Sequence, residues 1–244
     1  MLLTKNAVTV GAHPLTIADV VAVARHDAPV ELDSASLEAV EASRAIVEAL
    51  AGDTEPHYGI STGFGALATT FIPAPRRAQL QASLVRSHAA GSGPEVEREV
   101  VRALMLLRLS TLMTGRTGAQ RTTVETYAAL LNAGITPVVR EYGSLGCSGD
   151  LAPLAHCALA AMGEGEVRVG GRLLDASTAL ADAGIAPVVL AEKEGLALIN
   201  GTDGMLGMLS LALHDLGALL RTADIAAAMS VEALLGTDAV FADD

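Results

Sequence analysis

Residues 202–235 contain no proline and repeat apolar side chains with a helical period, broken only by isolated polar residues such as His214, Asp215, Arg221, Asp224 and Glu232. A continuous helix of that length extends about 50 Å. Such a rod cannot bury its own apolar side, so other long helices must lie beside it. Its scattered charges keep it short of the roughly 20 apolar residues a membrane span needs, and the expectation is a buried helix instead. Few other segments match its length. The expectation is therefore a shortened chain, or burial of this helix against other subunits.

The 244 residues leave room for one large domain or two small ones. Hydrophobic residues make up 51%, aromatics only 2%, and tryptophan is absent. A core of Ala, Leu, Val and Met favours packed helices over an aromatic-rich sandwich. Thr16 followed by Asp19 reads as a helix N-cap with an acidic first turn, opening a helix to about His26. Further helices are expected from Ser34 or Ser36 to Ala51, from Pro75 to Ala90, from Pro94 to a stop at Gly115, over 118–133, and from Asp150 to about Met162. Residues 1–15 read as a strand-like lead-in, and 166–175 as a hairpin around Gly170-Gly171. The fold class expected is mainly α, a long-helix bundle core with a smaller N-terminal α-rich region carrying loops, and a short β-hairpin.

A formal charge of −12 argues against nucleic acid, which needs a concentrated basic surface. Cys147 and Cys157 are the only cysteines, too few for a disulfide framework, so a reducing cytoplasm is expected. The opening MLLTKNAVTV has no sustained apolar run, so no signal peptide is expected. Cys147, His156 and Cys157 have poor spacing for zinc, and no metal site is expected.

Four stretches could carry chemistry. In GSLGCSGDLAPLAH (143–156), a small residue, a serine and a glycine stand in a tight loop before a capped helix. Gly149 has no Cβ, so its nitrogen can approach a neighbouring carbonyl closely. Attack on the Cys147 carbonyl carbon would close a five-membered ring, and loss of two waters would turn Ser148 into an exocyclic methylene, an electrophile that no ordinary side chain offers. Taken alone, the triplet reads as an ordinary turn before a helix. The spacing does not match a hydrolase elbow. HYGISTGFGALA (57–68) is glycine-rich but lacks the Lys-Ser/Thr pair of a phosphate loop. LVRSHAAGSG (84–93) places Ser87 and His88 at a helix end, where a capping or surface role is the plain reading. EGLALINGTDG (194–204) presents Asn200, whose amide both donates and accepts.

Taken together, these strings resemble the aromatic amino acid ammonia-lyases, the family of histidine and phenylalanine ammonia-lyases, over residues 1–244, about half the family's length. The resemblance implies that Cys147, Ser148 and Gly149 become the methylidene-imidazolone group, MIO, formed autocatalytically with no metal. Cys147 stands where the family usually has alanine; that side chain is carried on the ring and takes no part in closing it. Asp150 would orient the loop, with a plain N-cap as the competing reading. Tyr58 matches the family's favoured base. A tyrosine normally titrates near 10, so that role needs a site that stabilises the phenolate. Ser87 and His88 face the substrate ring in the family, and this pair resembles the histidine-specific members. Asn200 would contact the prosthetic group and the substrate carboxylate. Asp203 departs from the glutamine of many members. The implied reaction is elimination of ammonia from L-histidine to give trans-urocanate, in a cytoplasmic homotetramer that uses neither nucleic acid nor membrane. The implied division is 1–115, an α-rich region with the tyrosine loop, and 116–244, the MIO loop and the start of the central bundle. A tyrosine ammonia-lyase, an MIO aminomutase, and an inactive helical fragment are the alternatives.

Overall fold

The computed structural model describes residues 6–146 and 149–242. The chain opens with β1 (Val8–Val10), α1 (Ile17–His26), β2 (Val30–Leu32), α2 (Ser34–Ala51) and α3 (Ala74–His88). β3 (Ser92–Glu95), α4 (Arg98–Met113), α5 (Arg121–Asn132), β4 (Thr136–Pro137) and β5 (Arg140–Tyr142) follow. The remainder is α6 (Leu151–Ala161), β6 (Glu166–Val169), β7 (Arg172–Asp175), α7 (Ala176–Asp182), α8 (Glu194–Ile199) and α9 (Asp203–Ala233). The architecture is mainly α, as the composition required.

α4 is the core's axis. Val101, Leu104, Met105, Leu106, Leu109, Leu112 and Met113 are all buried, and α4 packs on α1, α5 and α9. One apolar cluster extends from Val8 to Leu211, built chiefly of Ala, Val, Leu and Met. Two arginines lie within it. Arg102 donates to the Val23 and Leu131 carbonyls, closing the last turns of α1 and α5. Arg108 reaches the other way, toward the chain before α9.

Local signals behaved as their chemistry demands. Thr16 and Asp19 form a reciprocal capping box on α1. Asp33 caps α2 through the Ser36 amide. β6 and β7 pair as the expected hairpin, joined by β4 into a three-stranded antiparallel sheet.

Three expectations fail. Pro94 does not open a helix: Ser92–Glu95 is a strand paired antiparallel with β5, and α4 starts at Arg98. A proline lacks an N–H in either setting, and a two-stranded edge with a register shift tolerates that loss. β2 was missed because three residues are too few to show alternation; it pairs parallel with β1. Most consequentially, α9 is not buried along its length within this chain. Its buried residues are Asp203, Gly204, Gly207, Ser210 and Leu211, whereas Leu216, Leu219, Leu220, Ile225 and Met229 are exposed. Nor do its charges take it below a membrane threshold. The stretch Glu194–Ala233 is long and apolar enough to cross a bilayer, with mean hydropathy 1.4, as core helices also are. Here its first turns pack on α4, and Asp215 pairs with Arg25 of α1.

Candidate active site

Three of the four stretches meet at one cavity of about 540 Å³, lined by Tyr58, Phe64, Gly65, Leu84, Ser87, His88, Leu151, Leu196 and Asn200 among others. Leu151 follows Asp150 directly, so the fourth stretch reaches the same place.

α3 carries the first pair. His88 is its last residue, and its Nδ1 lies 2.9 Å from the Leu84 carbonyl. A carbonyl only accepts, so Nδ1 carries the proton, and in the neutral ring Nε2 is then the acceptor. Among the described residues Nε2 has no partner. Ser87 Oγ donates to the same carbonyl at 2.8 Å and lies 3.1 Å from His88 Nδ1. The pair thus fixes one tautomer at the cavity wall.

Tyr58 enters from residues 52–73, whose middle is a short 3₁₀ turn, Gly65–Leu67, and a bridge between Thr62 and Phe71. Its ring meets Phe64 edge-on at 6.1 Å. The Gly65 N–H donates to its phenol oxygen at 3.5 Å. The side chain is 51% exposed.

Asn200 ends α8. Its Nδ2 donates to the Leu196 carbonyl at 2.9 Å, which leaves Oδ1 without a partner among the described residues. Arg108 fixes the backbone below it, donating to the Ala197 and Asn200 carbonyls and to the Asp203 carboxylate. Both members of this ion pair are buried. Asp203 is therefore the counter-charge of a core arginine.

Cys147 and Ser148 lie outside the described residues. Their neighbours form a tight loop. The Leu145 N–H donates to the Gly149 carbonyl at 2.9 Å. A Cβ on Gly149 would lie 2.5 Å from the Gly146 carbonyl oxygen and 2.7 Å from the Leu145 Cβ, so only glycine fits. Asp150 is 1% exposed. It holds the N-cap position of α6, yet its side chain does not cap that helix, so the plain N-cap reading is wrong. The carboxylate instead accepts the Met205 N–H at 3.0 Å and the Ser144 hydroxyl at 2.5 Å, while its own N–H donates to the Gly201 carbonyl at 3.2 Å. It caps α9 from a distance and ties the glycine loop to that helix's positive end.

Downstream on α6, His156 Nε2 accepts the Gly91 N–H at 3.2 Å, and burial lowers its pKa. Cys157 is fully buried, and burial pushes its thiol up, which keeps it unreactive.

Sequence reasoning missed the residues that hold these parts together: Arg77, Gln81, Arg108 and Glu194. The available signal was a polar side chain on an inward face. Arg108 interrupts the apolar run ALMLLRLSTLM, and Gln81 stands two helical turns before His88. Glu194 is 0% exposed and accepts from Gln120, Thr123 and Ala191, which locks the start of α8.

A helical fold with these stretches at one cavity defines a class, and comparison with known proteins agrees. The family model for aromatic amino acid lyase matches residues 15–244, and the chain belongs to that family. It is similar to the histidine ammonia-lyases of Streptomyces griseus, 63% identical over 240 residues, and of Gloeobacter violaceus, 51% identical over 227 residues. These alignments cover 98% and 93% of this chain but 47% and 44% of those proteins, so the chain spans about half the length of the curated relatives it matches. Among solved structures, histidine ammonia-lyase from Trypanosoma cruzi superposes with a TM-score of 0.87 at 35% identity, covering 95% of this chain and 44% of that one. A tyrosine aminomutase variant gives 0.87 at 40% identity, covering 93% and 43%.

Proposed function

We propose that this chain forms part of a cytoplasmic histidine ammonia-lyase that eliminates ammonia from L-histidine to give trans-urocanate. The carrying observation is His88 at the cavity wall, its Nδ1 proton committed to the Leu84 carbonyl and its Nε2 left to accept. An imidazole N–H satisfies that acceptor; a phenyl ring would leave it unpaired. The identities of 51–63% to histidine ammonia-lyases support the same substrate.

Cys147, Ser148 and Gly149 would form the MIO group. When present, that group supplies an electrophilic carbon for the substrate amine. The fit rests on Gly149, whose neighbours exclude a Cβ, and on Asp150 and Ser144, which anchor the loop. Tyr58 would take the β-proton, working from the loop across the cavity. Asn200 would orient the substrate carboxylate with its amide, and His88 and Ser87 would hold the imidazole. Positioning by these groups supplies much of the barrier reduction that a weakly acidic C–H requires. The exposed apolar side of α9 supports assembly with further copies, a homotetramer in this reading.

The experiment is to add L-histidine to the complete protein and follow urocanate by its ultraviolet absorbance. The expected result is steady formation, abolished by Ser148→Ala. Absence of urocanate with intact, folded protein would reject the reading. A tyrosine-directed aminomutase is the second reading, favoured by the 40% identity to the tyrosine aminomutase structure. It predicts β-tyrosine from L-tyrosine and no urocanate.

A further inference from the structure

We infer that Gln81 is the positioning residue that sets the tyrosine loop against the asparagine-bearing helix; this rests on the lyase reading above. Gln81 is 1% exposed and lies on the inward face of α3, seven residues before His88. Both ends of its amide are spent on different parts of the site. Nε2 donates to the Gly59 carbonyl at 3.2 Å, one residue after Tyr58. Oε1 accepts the Gly195 N–H at 2.9 Å, in the first turn of α8, whose C-cap is Asn200. One side chain thus joins the helix that ends in His88, the loop that carries Tyr58, and the helix that leads to Asn200.

The surroundings are built for this junction. A Cβ on Gly195 would lie 2.9 Å from the Gln81 carbonyl oxygen, so only glycine lets α8 approach α3 this closely. Lys193 takes a left-handed conformation, φ 70°, and its N–H donates to the same Gly59 carbonyl at 3.0 Å. A bulky side chain adopts that region only when its surroundings require it. One turn before Gln81 on α3, Arg77 grips both ends of the loop, donating to the Ile72 carbonyl at 3.0 Å and to the Ala51 carbonyl at 2.7 Å. α3 therefore holds the loop at both ends. Gln81 is the only one of these two anchors that also touches α8.

Gln81 touches neither cavity nor reacting atoms, so its effect passes through Tyr58. Two variants separate its functions. Gln81→Glu keeps the acceptor for Gly195 and loses the donor to Gly59. Gln81→Met keeps the approximate volume and loses both. In the complete protein, both are expected to lower kcat for L-histidine about 10- to 100-fold, as a misplaced group does, with KM within about threefold because His88 still holds the imidazole. Backbone hydrogen exchange over 59–65 and at Lys193 is expected to speed up in both variants, with or without turnover. Leu112→Ala, a cavity in α4 away from the loop, serves as a control for general destabilisation and leaves that exchange pattern unchanged. If Gln81→Met exchanges at these amides and turns over within about twofold of the unsubstituted protein, the inference is overturned. If the unsubstituted protein forms no urocanate, the lyase reading fails, and hydrogen exchange still decides the placement of the loop.

Discussion

The two ends of α9 have the same apolar period and opposite fates. One face of its first nine residues, made of Asp203, Gly204, Gly207, Ser210 and Leu211, is buried toward α4, with Asp203 paired to Arg108 and the Met205 N–H capped by Asp150. Beyond Leu211 no face of the helix is buried within the described residues of this chain: Leu219 is 62% exposed and Met229 66%. Apolar periodicity sets the helix; it does not choose what covers it. Buried polar pins choose the end that is fixed in register, because an unsatisfied charge or amide inside the core tolerates no second arrangement. Those pins also hold the Asn200 and Gly201 carbonyls, so the best-defined part of the longest helix is the part joined to the backbone beside the cavity.

Removing a pin gives the largest effect. Asp203→Ala leaves the Arg108 guanidinium buried without its counter-charge and is expected to cost about 3–5 kcal/mol in urea unfolding. Asp203→Gln, which keeps an acceptor for Arg108, recovers about half of that loss. Equal loss in the two variants would show that packing alone fixes this end. Next comes apolar truncation at either end of the contrast. Leu211→Ala is expected to cost about 2–4 kcal/mol, because Leu211 is 3% exposed and packed against the core. Leu219→Ala in the isolated 244-residue chain costs under about 0.5 kcal/mol. A large loss at Leu219 would mean that the outer end is already covered by association, and its dependence on protein concentration would reveal this.

A gentler probe is pH. The folded-state pKa of His156 lies below its ordinary 6.5 because burial disfavours the charged ring. As pH falls through 6.5, the unfolded chain takes up a proton at His156 that the folded chain refuses, so stability declines with falling pH in that window. Above 6.5 the contribution is complete. His156→Gln flattens this slope, measured as the urea midpoint from pH 7.5 to 5.5. An unchanged slope would assign the decline to another group.

The elements legible in the sequence were those with local chemistry. Thr16 and Asp19 announced α1, Gly170-Gly171 announced the hairpin, and the proline-free run announced α9. Three-residue strands such as β2 have no period to read, and Pro94 served a strand edge as readily as a helix start. At the site, Tyr58, Ser87, His88 and Asn200 were identifiable because their motifs are local, and the structure brings them to one cavity. Their supports were not. Gln81 bonds across 22 and 114 residues, Arg108 across 92 and Glu194 across 71, and Asp150 caps a helix 55 residues away. Such pairings depend on how helices pack, which no single stretch of sequence states.

Peptide mass spectrometry of the fragment spanning residues 143–156 from the complete protein is the most direct test. A fragment lighter than its sequence by two waters is the predicted result, unmodified fragment appearing in its place for Ser148→Ala less only the serine oxygen. A fragment of full sequence mass from correctly folded protein would contradict the account, leaving a cavity lined by Tyr58 and His88 but no electrophile.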